Sequence, residues 1–350
     1  MHIVKHSLQW TRASKDAIHA LRDHFWTAFD IARNTGWKRR PALIDLLAKR
    51  RRKGFCESPD SFYTVGFINI RRGGKYRINI PNSSALYIAI SLSSGKQQAV
   101  LELTRCSDSN TMHSQEITLA DGVATGDSLD TSKFSGLTQL MIRQYFNNTS
   151  DSVSTPFPHI EYNKPLERDR LRDSMLPASI LSGWYFLSWR LKTVLGIKFL
   201  QYYLGSNFPR NTFMTVEEIR DLWRSGHLTV SRLGINTFRY FFSIFDLKPG
   251  QILKISYRPN DSQYFAFSLN NSWMQGLDST YHGTYINSKQ LHEDVDGSYT
   301  IFVGDKNRGY KNFLDTKGYR RGLIHFREIL SSDESLRPRA VIMQDGEDNA

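Results

Sequence analysis

Two hexapeptides far apart in the chain constrain its fold more than any other feature. Tyr87-Ile88-Ala89-Ile90-Ser91-Leu92 and Tyr264-Phe265-Ala266-Phe267-Ser268-Leu269 share four of six residues, and the remaining two are apolar in both. Each is preceded by another alternating run, Tyr76–Ile80 and Ile252–Tyr257. Each is followed by an Asp-Gly pair, Asp121-Gly122 and Asp296-Gly297. Next comes an expected strand holding one arginine: Arg143 within Met141–Tyr145 and Arg327 within His325–Ile329. A proline-bearing segment closes each series, at Pro156-Phe157-Pro158 and at Pro338. Period-two alternation reads as half-buried strands, and an ordered series of such matches predicts a duplicated unit.

A chain of 350 residues has room for two such units and further segments. An aromatic content of 13% suits the space between two facing sheets. The expected fold is mainly β with α additions: two tandem antiparallel β-sandwich, jelly-roll-like modules. The first module is expected over 55–164 and the second over 247–343, with an N-terminal helical extension at 1–54, a helical insert at 165–246 and an acidic tail at 344–350. In the extension, Ser14 can cap a helix whose apolar stripe is Ile18, Leu21, Phe25, Phe29 and Ala32. In the insert, Thr215 and Glu218 have capping-box spacing, and an aromatic helix is expected over Val230–Phe245. The apolar stretch Ile180–Leu204 is interrupted by Arg190, Lys192 and Lys198. Centred charges argue against a simple membrane span and favour a core-packed or amphipathic helix pair.

The net charge of +12 fits either a solvated basic surface or an anionic partner. Among such partners nucleic acid is disfavoured, because no nucleic-acid motif is present. Peripheral contact with an anionic membrane stays open. Cys56 and Cys106 supply neither a disulfide framework nor zinc-ligand spacing. The first residues contain no apolar secretory core, so a cytoplasmic location is expected, with no cofactor and no metal.

The second unit resembles the C-terminal module of the domain of unknown function 1214 family. The residues that carry the likeness lie within 250–343: Tyr264–Leu269 with Asn271 and Trp273, Leu277-Asp278, Asn287, Asp296-Gly297-Ser298, Asn312-Phe313-Leu314-Asp315 and the Arg327 strand. Phe313 stands where that family commonly has tryptophan. Residues 54–163 look like its companion, the domain of unknown function 1254. The resemblance implies β-sandwich modules with helical additions, and it implies no reaction.

Candidate site residues concentrate in the second unit. Asn271, Trp273, Asp278, Tyr281 and His282 gather hydrogen-bonding and stacking groups between two strands. Asp278 could orient His282 or raise its pKa, as acid/base chemistry requires. The alternative is a structured loop, with Trp273 as a core plug and Asp278 capping backbone amides. The stretch from the Asp-Gly pair to the arginine is longer in the second copy and reads as an insertion, Asn307–Arg321. It carries Asn312, Asp315 and Arg320 as ligand-binding candidates, and Arg320 with Arg321 could grip a carboxylate, sulfate or phosphate. Turn formation and solvated charge are the alternative there. Arg143 and Arg327 are either paired within the core or directed into a pocket.

Gly126-Asp127-Ser128-Leu129 spells a lipase-like motif, but no Asp-x-x-His follows it, so a catalytic serine is rejected. The matching order of the two copies would set these residues opposite Gly304-Asp305. Two functional readings result. One is a protein that binds a polar or anionic small molecule or glycan in the second module, with or without acid/base chemistry by Asp278 and His282. The other is a basic interaction protein that docks on anionic membrane or nucleic acid through Arg50–Lys53 and Ile180–Leu204.

Overall fold

The computed structural model describes residues 2–36, 43–45, 58–70, 75–94, 97–104, 112–122, 127–162, 180, 182–184, 186–188, 191, 209–224, 238–259, 262, 264–278, 282–329 and 336–344. The chain divides into two compact units. One comprises Leu21–Arg52 with Asp60–Leu191, and the other Lys192–Ala350 with Met1–Ala20 and Lys53–Pro59. Helix α1, His2–Gly36, contributes to both.

The first unit contains β1 (Ile44–Asp45), β2 (Ser61–Ile70), β3 (Tyr76–Ile80), β4 (Tyr87–Ser94), β5 (Gln97–Thr104), β6 (Gln115–Ala120), β7 (Ser128–Asp130), β8 (Gly136–Tyr145), the short helix α2 (Thr149–Ser154) and β9 (His159–Tyr162). Its sheets run β1-β2-β8-β4-β5 and β7-β6-β3-β9. Alternation builds the core. Ile68, Ile70, Ile88, Ile90, Leu92, Leu140 and Ile142 of the first sheet meet Tyr76, Ile78, Ile80, Ile117 and Leu119 of the second.

The second unit contains β10 (Met214–Thr215), helix α3 (Val216–Arg224), β11 (Phe238–Asp246), β12 (Gln251–Tyr257), β13 (Tyr264–Asn270), β14 (Tyr285–Asn287), β15 (Tyr299–Gly304), β16 (Phe313–Asp315), β17 (Arg321–Ile329) and β18 (Arg339–Gln344). Its sheets run β10-β11-β17-β13-β14 and β16-β15-β12-β18, the same orders strand for strand. The registers repeat as well. Arg143 lies between Tyr63 and Ala89, and Arg327 lies between Tyr240 and Ala266. Both units also close with an uncommon parallel pair, β6 with β7 and β15 with β16. The fold is two tandem β-sandwiches with helical additions.

Inside the second sandwich, Phe326 is the centre of a ring cluster. Its centroid lies 4.6 Å from that of Phe267, 4.8 Å from Tyr257, 5.8 Å from Phe241 and 6.4 Å from Phe265. One polar pair shares this core: the Tyr257 hydroxyl donates to Glu328 Oε1 at 2.7 Å. Burial, and then the Glu328 carboxylate, push the Tyr257 phenol far above its usual pKa. In the first unit Ile80 and Gln144 stand at the equivalent points.

Three expectations are corrected here. The residues Phe238–Asp246, expected to be helical at least to Phe245, form β11, which pairs along its whole length with β17. Both faces of β11 are covered over Phe241–Phe245, where Ser243 is the one polar residue, so the period does not separate helix from strand. Residues 230–237 lie outside the described ones. The second correction concerns the helical extension expected at 1–54: Ile44–Asp45 form strand β1, and Ser14 lies inside α1 instead of capping it. The apolar stripe of α1 faces outward: Ile18 is 66% exposed, Phe25 56% and Phe29 43%. The covered face is Ala20, Asp23, His24, Thr27, Ala28 and Ile31.

The third correction concerns the supposed insertion. The amide of Thr118 donates to Asp127 O, and that of Phe302 to Asn312 O. Ser128 and Asp130 pair with β6 as Phe313 and Asp315 pair with β15. Asn312–Asp315 therefore matches Asp127–Asp130, not Gly304-Asp305, and it is part of the repeat. The Asp296-Gly297 turn precedes β15 whereas Asp121-Gly122 follows β6, so the extra length lies ahead of β15. The expected capping box is present: Thr215 N donates to Glu218 Oε2 at 2.8 Å, and Glu218 N to Thr215 Oγ1 at 3.1 Å.

Candidate functional site

Several sequence-chosen residues spend their polar atoms on folding their own loops. Asn271 is buried, and its Oδ1 accepts from the amides of Trp273 at 2.9 Å and Gln275 at 3.1 Å. It thereby closes a tight turn in which Met274 takes φ 59°. Asn312 is also buried. Its Oδ1 accepts from His292 N at 2.8 Å, and its Nδ2 donates to His292 O at 2.7 Å and to Thr300 O at 3.0 Å. Both amide protons and the carbonyl are thus occupied in tying a loop to β15.

Asp315 accepts from Lys317 N at 2.6 Å and pairs with Lys317 Nζ at 3.0 Å. Asp130, its counterpart, accepts from Ser132 N at 2.9 Å in the same turn. One role in both copies marks Asp315 as a turn residue. Arg320 is exposed, and its neighbour Arg321 joins Arg210 on Asp246 at 2.6 and 2.7 Å.

Trp273 and Asp278 are half-buried. His282 is exposed and makes no side-chain hydrogen bond among the described residues. Tyr281 lies outside the described residues, as do Arg50–Lys53 and most of Ile180–Leu204.

Arg327 is different. It is 1% exposed. Along β17 the even positions Ile324 and Phe326 enter the sandwich core, so Leu323, His325 and Arg327 project from the opposite, outward face. Asn312 is tied to β15 of the other sheet, so it does not converge with Arg327. The outward face gathers other groups instead. His325 lies flat between Tyr240 and Phe242, with centroids 5.6 and 4.9 Å apart and planes within 14°. Arg327 Nη2 lies 3.5 Å from His325 Nδ1. Tyr264 and Tyr285 share a hydroxyl hydrogen bond of 2.8 Å. Ser268 and Asn270 extend the polar row along β13, and the Oδ1 of Asn270 is buried without a hydrogen-bond partner. Val216 and Ile219 of α3, with Met274, cover the Phe242–Leu323 end.

Burial, and then the nearby Arg327 charge, hold the His325 imidazole well below its usual pKa. It is therefore neutral at neutral pH; Arg327, which can only donate, makes Nδ1 the acceptor and leaves the Nε2–H as the ring's donor. The sign of the stability effect follows. The folded-state value lies below the unfolded one, so below about pH 6.5 unfolding takes up a proton. Stability is complete above that pH. It falls by about 1.4 kcal/mol per unit as pH drops toward the folded-state value. His325→Phe keeps the ring stack and should flatten this limb in denaturation measured from pH 7.5 to 5. An equally steep limb in the variant would show that His325 does not titrate on unfolding.

Sequence reading missed His325, Tyr240, Phe242, Tyr264 and Tyr285. One signal was available: His325 replaces Met141 beside the repeated arginine. There Arg143 Nε sits 3.2 Å from the Met141 sulfur.

No family model matches the chain, and no curated protein matches it. Two solved structures share its fold. An uncharacterised protein from Burkholderia cenocepacia superposes with a TM-score of 0.71 at 18% identity, over 94% of this chain and 89% of that one. The VPA0106 protein from Vibrio parahaemolyticus gives a TM-score of 0.50 at 12% identity, over 94% and 99%. At these identities the likeness is one of architecture: this chain has the tandem sandwich arrangement seen in the Burkholderia protein.

Proposed function

We propose that this chain binds a small anionic, hydroxyl-bearing molecule, a sugar acid or hydroxy acid in class, on the outward face of β11, β17, β13 and β14. The observation that carries the reading is a buried guanidinium next to a buried neutral imidazole, on the face turned away from the sandwich core. A planar guanidinium suits a carboxylate, the Nε2–H of His325 donates to a hydroxyl oxygen, and Ser268 with Asn270 adds hydroxyl-binding groups. The walls are the rings of Tyr240 and Phe242, as small-molecule sites require. His325, rather than His282, is the imidazole of this site. The likeness of the second module to the domain of unknown function 1214 and a cytoplasmic location belong to the same reading.

The test is a thermal-shift panel of simple carboxylates, phosphates, hydroxy acids and acidic sugars on the wild type and Arg327→Met. Binding to the folded state adds about 2.7 kcal/mol at a ligand concentration 100 times Kd. At least one carboxylate should raise the wild-type melting temperature and leave the folded variant unmoved. Shifts confined to neutral compounds, or equal in both proteins, would refute the assignment.

A further inference from the structure

We propose that the outward face of α1 docks peripherally on an anionic lipid surface. The stripe that alternates at helical spacing does not enter the protein: Leu21 is 49% exposed, Phe25 56%, Trp26 47% and Phe29 43%. Trp26 packs edge-on against both Phe25 and Phe29, at centroid separations of 5.9 and 5.7 Å, so the rings form one continuous aromatic surface. Helical residues 182–184 lie against the same helix. A Cβ on Gly183 would stand 3.0 Å from Ala32 Cβ and 3.1 Å from Ala28 O, so the two helical segments approach closely at this glycine. Its neighbour Trp184 is 66% exposed, and Ile180 is 63% exposed.

Charge selects the occupant. The exposed charged side chains described on α1 are Arg12, Lys15, Arg22 and Arg33, all basic. Its acids are withdrawn: Asp23 is buried and paired with Arg22, Asp16 holds the Tyr319 hydroxyl at 2.9 Å, and Asp30 is half-buried. Tryptophan, phenylalanine and leucine flanked by arginine is the composition of a helix lying in the headgroup plane of anionic lipid. A second copy of the chain fits poorly, because pairing two such faces sets Arg22 and Arg33 against their equals. Nucleic acid would use the rings, but Leu21 and Ile180 offer it nothing to stack on. Among the described residues no helix is long and apolar enough to cross a membrane.

The experiment is co-sedimentation of the full chain with vesicles of phosphatidylcholine plus phosphatidylserine, and with pure phosphatidylcholine. The wild type should pellet with the anionic vesicles and bind the neutral ones about tenfold more weakly, and added salt should release it. Phe25→Glu with Phe29→Glu should cut binding about tenfold or more while melting like the wild type, since both positions are exposed. Arg33→Glu should weaken binding and leave the aromatic face intact. The proposal is overturned if the wild type ignores anionic vesicles or if the double variant binds them equally. It is also overturned if the double substitution instead dissolves a dimer or abolishes binding to an oligonucleotide.

Discussion

Phe326→Ala should cost about 3–5 kcal/mol of folding stability, as removal of a buried phenylalanine from a packed core typically does. Four aromatic partners surround this ring, one on each of β11, β12 and β13 and a second on β13, so no single neighbour can move to refill the space. The same truncation strands the Tyr257–Glu328 pair beside a cavity, where an ill-supported buried carboxylate adds to the loss. Chemical denaturation should show a lower midpoint with an unchanged m-value. A loss below about 1 kcal/mol would mean that the ring cluster does not organise this sandwich.

Gly322→Ala is the smallest substitution with a comparable effect, on the order of 3 kcal/mol. A Cβ there would stand 2.6 Å from Asn270 O and 2.6 Å from two ring carbons of Phe245. Neither can withdraw cheaply. The carbonyl belongs to β13, which is bonded to β17 along seven positions, and Phe245 is fully buried. Gly304 is the contrast, since its added methyl would meet Ile252 Cγ1 at 3.3 Å, a side chain able to adjust. Gly304→Ala should therefore cost clearly less, under about 1.5 kcal/mol. Equal effects at the two glycines, in parallel melts, would discredit the close approach at Gly322.

Much of this architecture was legible because both sandwiches bury one face of most strands against the other sheet. Alternation then writes the strands into the sequence, as at Tyr76–Ile80, where Ile78 and Ile80 are buried between half-exposed polar residues. The duplication was legible for the same reason, since Tyr87–Leu92 and Tyr264–Leu269 occupy central strands at matching registers. Where a strand is covered on both faces the signal fails, and β11 read as helix. Periodicity also revealed that α1 is amphipathic without telling which face the protein covers. The covered face includes Asp23, His24 and Thr27, which composition alone would send to solvent.

The site was less legible, because a turn cap and a ligand contact draw on the same chemistry. Asn271, Asn312 and Asp315 have the polar groups of a binding site, and their partners in the fold are backbone amides and carbonyls. The internal repeat gives the discriminating clue. Asp130 repeats the turn made by Asp315, whereas His325 has only a methionine at its counterpart. A difference between copies beside a shared arginine is the stronger pointer, and it directs attention to the sheet face instead of the loops.

The central claim is that Arg327, and not its counterpart Arg143, receives the ligand. Titration calorimetry of the carboxylate chosen by the thermal-shift panel, against the wild type, Arg327→Met and Arg143→Met, tests it most directly. Loss of a charge-assisted, bidentate contact of about 1.5–3 kcal/mol predicts roughly a ten- to hundredfold weaker Kd for Arg327→Met. Arg143→Met should bind like the wild type. Undiminished binding by a folded Arg327→Met, or an equal loss in Arg143→Met, would contradict the account.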